Sequence, residues 1–516
     1  MSVRWLTAVA ERVTEQVEEE RATLLRSVRG SIHRISRPLG RPRATLAPTA
    51  TTAAATSAEP AVSARALRGR VWNLALPAIG EQVLALGVGL SDTFLSGHLT
   101  SVAERQLGYG REQAVASIGA ASTIVWVVLT AFFAINVGIT ALVARAAGAR
   151  DRPLAARALG QGLLLGAVAG AVVALVAAPL ATVITSLLGL SGQVAALAAS
   201  YIRILSLALP ATGVASAANA AMRGSGDTRR PMLVMLVVNG INIAGSWLLL
   251  SGLPQWGIPA IGVAGSAIGA ATGWTLGALC AVWMVRRARG NRPRLLWRNI
   301  RPHRETLLRI LRVGLPSTVE LVIFQLGVVT FLRVVVGLGP AAYAANVAIN
   351  TVESIGTLPA FGFAVAATAL VGQALGAGDS QLAERTIWAT LRPCLAVIVG
   401  FGLVALVIPQ VLLGFIVADP HVLAAGSVAM RLSCLTLPAS AAAFVFNGAL
   451  RGAGDTKFPV VVRAAGTWGM RLPLAMLLIP LLALPGGRLV MALDYGTQAA
   501  LGYWRFSSGR WLRARV

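Results

Sequence analysis

Charge is scarce in this chain of 516 residues: Asp, Glu, Lys and Arg together make up 13% of it. A soluble chain of this length carries roughly twice that, about 25%, so an ordinary water-soluble protein is excluded. Lysine is almost missing, Lys457 standing alone among arginines. Histidine is rare, and His33, His98, His303 and His421 are scattered over the N-terminal stretch and the loops. No HExxH, no GK[ST] phosphate loop, no GxSxG and no paired CxxC occurs. The familiar catalytic motifs are therefore absent, and neither an enzyme nor a cofactor-binding protein is expected. Cys280, Cys394 and Cys434 fall in apolar stretches without metal-ligand spacing. They read as small buried hydrophobes.

Apolar residues are abundant: 56% of the chain, with a mean hydropathy of +0.71. Long apolar runs recur, each able to cross a hydrocarbon core of about 30 Å as a helix. They lack the alternation of a membrane barrel. Backbone groups in lipid must be satisfied within each segment, so the expected fold is all-α and polytopic, with the bilayer as a partner. The net charge of +25 would suggest nucleic acid in a soluble protein. Here the cations cluster beside the spans, the mark of cytoplasmic loops, and no nucleic acid is expected.

Residues 1–66 stand apart: an amphipathic or disordered cytoplasmic tail, with no apolar run of signal-peptide length. Six spans follow in 67–285, at about 71–96, 114–143, 159–178, 193–222, 231–250 and 258–285. A basic linker occupies 286–305. Six more spans fill 306–504, beginning near Thr306, Ala341, Arg385, Val422, Pro459 and Pro485, before a basic tail at 505–516. The loops after spans two and four are rich in arginine, whereas SLLGLSGQ, SGLPQWGIP and GLGPA carry no charge. The positive-inside bias then places both termini in the cytoplasm of a multi-pass inner-membrane protein.

The halves are copies. TALVARAAGARD at 140–151 returns as TALVGQALGAGD at 368–379, and NAAMRGSGDTRRP at 219–231 returns as NGALRGAGDTKFP at 447–459, both offset by 228. Two motifs in one register mean a duplicated unit, here two parallel six-helix lobes. Asp227 and Asp455 are placed to cap the next helix, and Arg223 and Arg451 to meet the dipole of the preceding one. A looser pair, Pro77 with Glu81 and Pro316 with Glu320, has an offset of 239. Both lobes thus open with a proline one turn before a carboxylate.

Ionisable residues inside spans cost about 2.5–3.5 kcal/mol on insertion scales and are functional candidates by default. Asp92, in GVGLSDTFLSGH, has no local cation. Burial without a counter-ion favours the neutral acid, so such a group can exchange a proton as a cavity changes sides; the alternative is a hydrated Asp at the span end. Glu81, Glu320 and Glu353 are the other span carboxylates, with Gln82, Gln325, Asn346 and Asn350 near them. Asn346, Asn350 and Glu353 share one helix face, a stripe able to line a cavity between the halves. Arg333 is the expected partner of Glu320 or Glu353.

Twelve spans in two halves, the paired TALV and RGxGDT motifs, Asp92–Thr93 and the ending RFSSGRW resemble the multidrug and toxic compound extrusion (MATE) family, on its bacterial DinF-like side. The likeness covers roughly residues 70–512. It implies two lobes around a central cavity. It also implies export of bulky, often cationic amphiphiles by alternating access, driven by inward H+ or Na+. On this resemblance Asp92 and Asn242 couple the ion, and span one bends at Pro77 on protonation. One departure is Ser246, where the family often has an Asp four residues after Asn242. That favours H+ over Na+. A monomer is expected. A lipid-linked-oligosaccharide flippase of the same superfamily is the nearest alternative. It needs a cationic cavity, and the spans offer mostly acids with Arg333 the exception. A membrane-embedded transferase would need a His/Asp/Glu cluster in a membrane-face loop, where these loops are nearly uncharged.

Overall fold

The computed structural model describes residues 63–252, 257–290, 292–417 and 419–514, apart from the side chains of 123–129. The expected tail at 1–66 lies almost wholly outside them. The first lobe contains α1 (Ala64–Gly97), the short α2 (Ser101–Leu107), α3 (Arg111–Thr130), α4 (Phe133–Gly148) and α5 (Arg152–Leu187). It continues with α6 (Gly192–Ser206), α7 (Leu209–Gly224), α8 (Arg229–Ser251) and α9 (Val263–Arg286). The second lobe contains α10 (Arg304–Val336), α11 (Pro340–Gly376), α12 (Ser380–Val407), the short α13 (Pro409–Gly414), α14 (Pro420–Ala453), α15 (Lys457–Ala464) and α16 (Leu472–Ser507).

Nine of the described helical stretches are long and apolar enough to cross a membrane, counting 457–507 as one. The pair α6–α7, bent by 56°, makes a tenth span. The pair α3–α4, broken at 131–132, makes the eleventh. The stretch 457–507 is itself two spans, because Ala483 leaves helical geometry at φ 53, ψ −140. Its arms run antiparallel: a Cβ at Gly466 would meet Asp494 and Gln498, and one at Gly486 would meet the Leu478 carbonyl. The total is the expected twelve, in two lobes of six. Rows of apolar side chains stay exposed, as at Val319, Val322, Leu326 and Val329 of α10. In water such a face would drive association; in lipid it is the solvated surface.

Local sequence sets the helix starts. Asp151 accepts from the Leu154 N–H at 2.9 Å and Asp379 from the Leu382 N–H at 2.8 Å, so the two TAL motifs end in matched N-caps. The two RGxGDT loops turn at Gly226 and Gly454, both at φ 84, where a side chain would be strained. The two expected aspartate caps diverge. Asp227 accepts from the Arg230 N–H at 3.3 Å and pairs with Arg292 of the linker at 3.1 Å. Asp455 instead accepts from Arg505 Nε at 2.8 Å, so it binds the end of α16.

Each lobe repeats one internal contact. Thr140 donates to the Ala220 carbonyl at 3.2 Å, and Thr368 to the Gly448 carbonyl at 2.8 Å. Between the lobes the TAL copies interlock. A Cβ on Gly148 would lie 1.9 Å from the Gln373 carbonyl oxygen, and one on Gly376 would lie 2.1 Å from that of Arg145. Arg145 and Gln373, the same position in the two copies, reach across in opposite senses. Arg145 donates to the Ala453 carbonyl at 2.8 Å and Gln373 to the Gly224 carbonyl at 3.0 Å. The motif is therefore a pseudo-twofold clasp at the arginine-rich end of the molecule.

Candidate functional site

Polar side chains inside the spans gather into three kinds of site. The first surrounds Asp92, near the end of α1, which has 0% exposure. Its Oδ1 accepts from Ser246 Oγ at 2.9 Å and Asn242 Nδ2 at 3.1 Å, and its Oδ2 from the Tyr201 hydroxyl at 2.9 Å. Ser246 also lies 3.4 Å from Ser266. Asn242 accepts in turn from Ser91 at 3.2 Å. No arginine pairs with Asp92 among the described residues. The cage is built wholly of neutral groups from α1, α6, α8 and α9. Hydroxyls can donate or accept, so Tyr201 and Ser246 can serve the carboxylate and then turn to accept from the acid. Residues 242 and 246 are one turn apart on α8 and face α1 together.

The expected pair Asp92 and Asn242 are thus brought together. Tyr201 was missed because it sits 109 positions away in an apolar run. Ser246 drew notice only as a departure, yet it makes a contact as short as Tyr201's.

The second kind of site is an ion pair that occurs in both lobes. Glu81 of α1 pairs with Arg223 of α7 at 2.5 Å. Glu320 of α10 receives Arg451 of α14 on both carboxylate oxygens at 2.8 Å. Acid and base are each duplicated, at offsets of 239 and 228. Those repeated offsets were the available signal for pairing. Gln82 is half-buried and Gln325 exposed, and neither joins these pairs.

The third lies only in the second lobe. Asn346, Asn350 and Glu353 do share a face of α11, and that face closes on Arg488 of α16. Their contacts with it are 2.5, 2.9 and 3.1 Å in that order. Arg471 pairs with Asp494, whose other oxygen accepts from Gln498 at 2.6 Å. Arg333 was expected to neutralise Glu320 or Glu353 and does not: it is exposed near the end of α10, and both acids hold other arginines. The expectation of mostly acidic spans is also corrected, since Arg463, Arg471 and Arg488 are all buried in this lobe.

Two six-helix lobes with ionisable clusters buried in their spans define a polytopic membrane transporter. The family profile described as MatE matches residues 77–248 and 316–477, one stretch in each lobe. The chain belongs to that family. "Probable multidrug resistance protein NorM" of Thermotoga maritima is 29% identical over 454 residues, covering 87% of this chain and 94% of its own. "Probable multidrug resistance protein YoeA" of Bacillus subtilis is 26% identical, with coverage of 82% and 90%. Among solved structures, one described as "Crystal structure of MATE in the bent conformation" matches at TM-score 0.77 and 20% identity. It covers 86% of this chain and 97% of its own. Another is described as "Outward-facing conformation of a multidrug resistance MATE family transporter of the MOP superfamily". It matches at TM-score 0.74 and 20% identity, covering 86% and 96%. At these identities the structures bear on fold alone.

Proposed function

We propose that this multidrug-type transporter is a proton-driven antiporter that exports small amphiphiles from the cytoplasm, with Asp92 carrying the proton. The observation that carries the reading is the neutral cage: a carboxylate fully enclosed in a span, held by two hydroxyls and an amide. A structural ion pair would have an arginine, as Glu81 and Glu320 do. The proton is the simplest ion such a cage can take and release. Na+ is less well served, because Ser246 replaces a second carboxylate.

The clasp lies at the arginine-rich end, which the positive-inside bias favours for the cytoplasm; on that reading the lobes are closed inward. Opening that clasp and closing the far side would give alternating access. Proline at 77 cannot donate to the Asn73 carbonyl, leaving α1 free to hinge below Asp92. One proton moving down 100 mV supplies about 2.3 kcal/mol, and one pH unit adds about 1.4. A neutral substrate could then be held at a ratio of some hundreds. We place the protein in the inner membrane as a monomer with both ends cytoplasmic. The flippase reading is less well supported: a pyrophosphate needs several free cations, and the buried Arg471 and Arg488 and the half-buried Arg451 are each matched to an acid.

Asp92→Asn is expected to abolish pH-gradient-driven efflux from proteoliposomes while the protein still inserts and keeps its unfolding temperature. Efflux at the wild-type rate would overturn the proposal. Efflux that follows an imposed Na+ gradient without a pH gradient would replace the proton by Na+.

A further inference from the structure

We infer that the second lobe carries a binding site for the anionic group of an aromatic amphiphile, centred on Arg463. Four arginines and three acids meet inside this lobe. Arg451 holds Glu320, Arg471 holds Asp494 and Arg488 holds Glu353. Arg463 is the one of the four with only a long contact to an acid. Its nearest acid oxygen is on Glu320 at 3.8 Å, and Arg451 already occupies both oxygens of that group.

Arg463 is only 6% exposed, and its Nε and Nη1 are buried without a hydrogen-bond partner. A guanidinium stays charged at any working pH, and a buried charge with two N–H groups unpartnered is costly. The free Nε–H and Nη1–H groups lie on different edges of the guanidinium, and each can donate a charge-assisted hydrogen bond to an oxygen of an incoming anion.

The surroundings suit the rest of such a molecule. Thr467 lies one turn on, and its hydroxyl is buried with no partner either. Residues Ala465–Arg471 wind as a π-helix, a wide turn often found at functional sites. The Phe324 ring stands 4.6 Å from the Arg463 guanidinium and 5.8 Å from that of Arg471. Tyr495 stands 5.5 Å from Arg471. Both rings are only half-buried, so they can offer a face to an incoming ring. The fold itself does not demand the charge. The same position in the first lobe is Met235, buried and apolar.

This site gives a substrate class to the export reading and rests on it for its role, but binding can be measured without transport. The experiment is titration calorimetry on the full chain in nanodiscs of phosphatidylcholine alone, which keeps anionic headgroups out. The probes are naphthoate and the matched cation naphthylmethylammonium. Wild type is expected to bind naphthoate. Arg463→Gln and Arg463→Met should weaken that binding about tenfold or more, roughly 1.4 kcal/mol, with cation binding unchanged. Arg463→Lys should retain part of it. Unfolding temperatures check that each variant is folded. The proposal is overturned if wild type does not bind naphthoate at millimolar concentration, or if Arg463→Gln binds it as wild type does. Asp92→Asn should bind naphthoate normally and fail only in efflux. A failure here therefore leaves the proton reading standing, and the reverse holds too.

Discussion

The fifth span of the first lobe and the fifth span of the second descend from one helix and now do different things. On α8 the positions are Met235, Asn239, Asn242 and Ser246; the equivalents at an offset of 228 are Arg463, Thr467, Met470 and Leu474. Isoleucine at 243 becomes Arg471. The partner helices diverge in step. Asp92 of α1 has Phe331 as its counterpart on α10 at an offset of 239, and Arg471 lies 5.9 Å from that ring. One lobe therefore encloses an acid in neutral hydroxyls and amides, and the other holds arginines against aromatic rings. Duplication supplied a symmetric frame, and the charge chemistry was placed by breaking it. Where the lobes remain alike the contacts are structural: the Glu–Arg pairs, the threonine bonds, the N-caps and the glycine clasp.

Four measurements would break or sharpen that contrast. The largest effect is expected from Glu320→Gln, which strands Arg451 and removes the nearest acid from Arg463. Stranding one buried partner costs about 3–5 kcal/mol. Glu81→Gln strands Arg223 alone and should cost less. Thermal unfolding of the purified variants gives the order, and a larger loss for Glu81→Gln would show that Arg463 draws nothing from Glu320. The clasp comes next. Gly148→Val and Gly376→Val each drive a side chain into a facing carbonyl. Each should destabilise the closed lobes by about 3 kcal/mol, at the upper end for overpacking, and stop efflux. Equal losses would support a true pseudo-twofold clasp, and a wide gap between them would refute it.

Third is Tyr201→Phe. It removes one hydroxyl from Asp92 without changing the ring, and hydrogen bonds to charged groups are worth about 1.5–3 kcal/mol. Proton-driven efflux should fall and shift its pH dependence, with the second lobe's naphthoate binding untouched. An unchanged pH profile would remove Tyr201 from the coupling cage. The smallest effect belongs to Gly378→Ala. Gly378 turns at φ 77 with open space around it, where the first lobe has Arg150 at φ 57. Only backbone strain is added, about 1 kcal/mol, read as a small fall in unfolding temperature. A loss several times larger would mean that the two turns are not equivalent.

Much of the frame was legible in the sequence. Hydropathy locates all twelve spans, and the two motifs in one register give the duplication. Asp92 stands out because its neighbours lack any cation. The breaks inside spans two and four were not legible, since both lie within continuous apolar runs. The pairing of charges was read wrongly. Arg333 seemed available to Glu320 because it is near in sequence, yet the acid's partner comes from 131 positions away. Arg488 and Asp494 both lie in the twelfth span, and each is neutralised by a partner on another span. The TAL motif shows the duplication by itself. That its copies lock against each other across the lobes is invisible until both are placed.

By itself the sequence determined the membrane, the helices and the repeat, because hydrophobicity, span length and periodicity are properties of a segment and its neighbours along the chain. Only the tertiary structure decided which acid meets which arginine and which cation keeps only a long contact. Ion pairing depends on distances of a few ångströms between segments more than a hundred residues apart, and helix packing alone sets those.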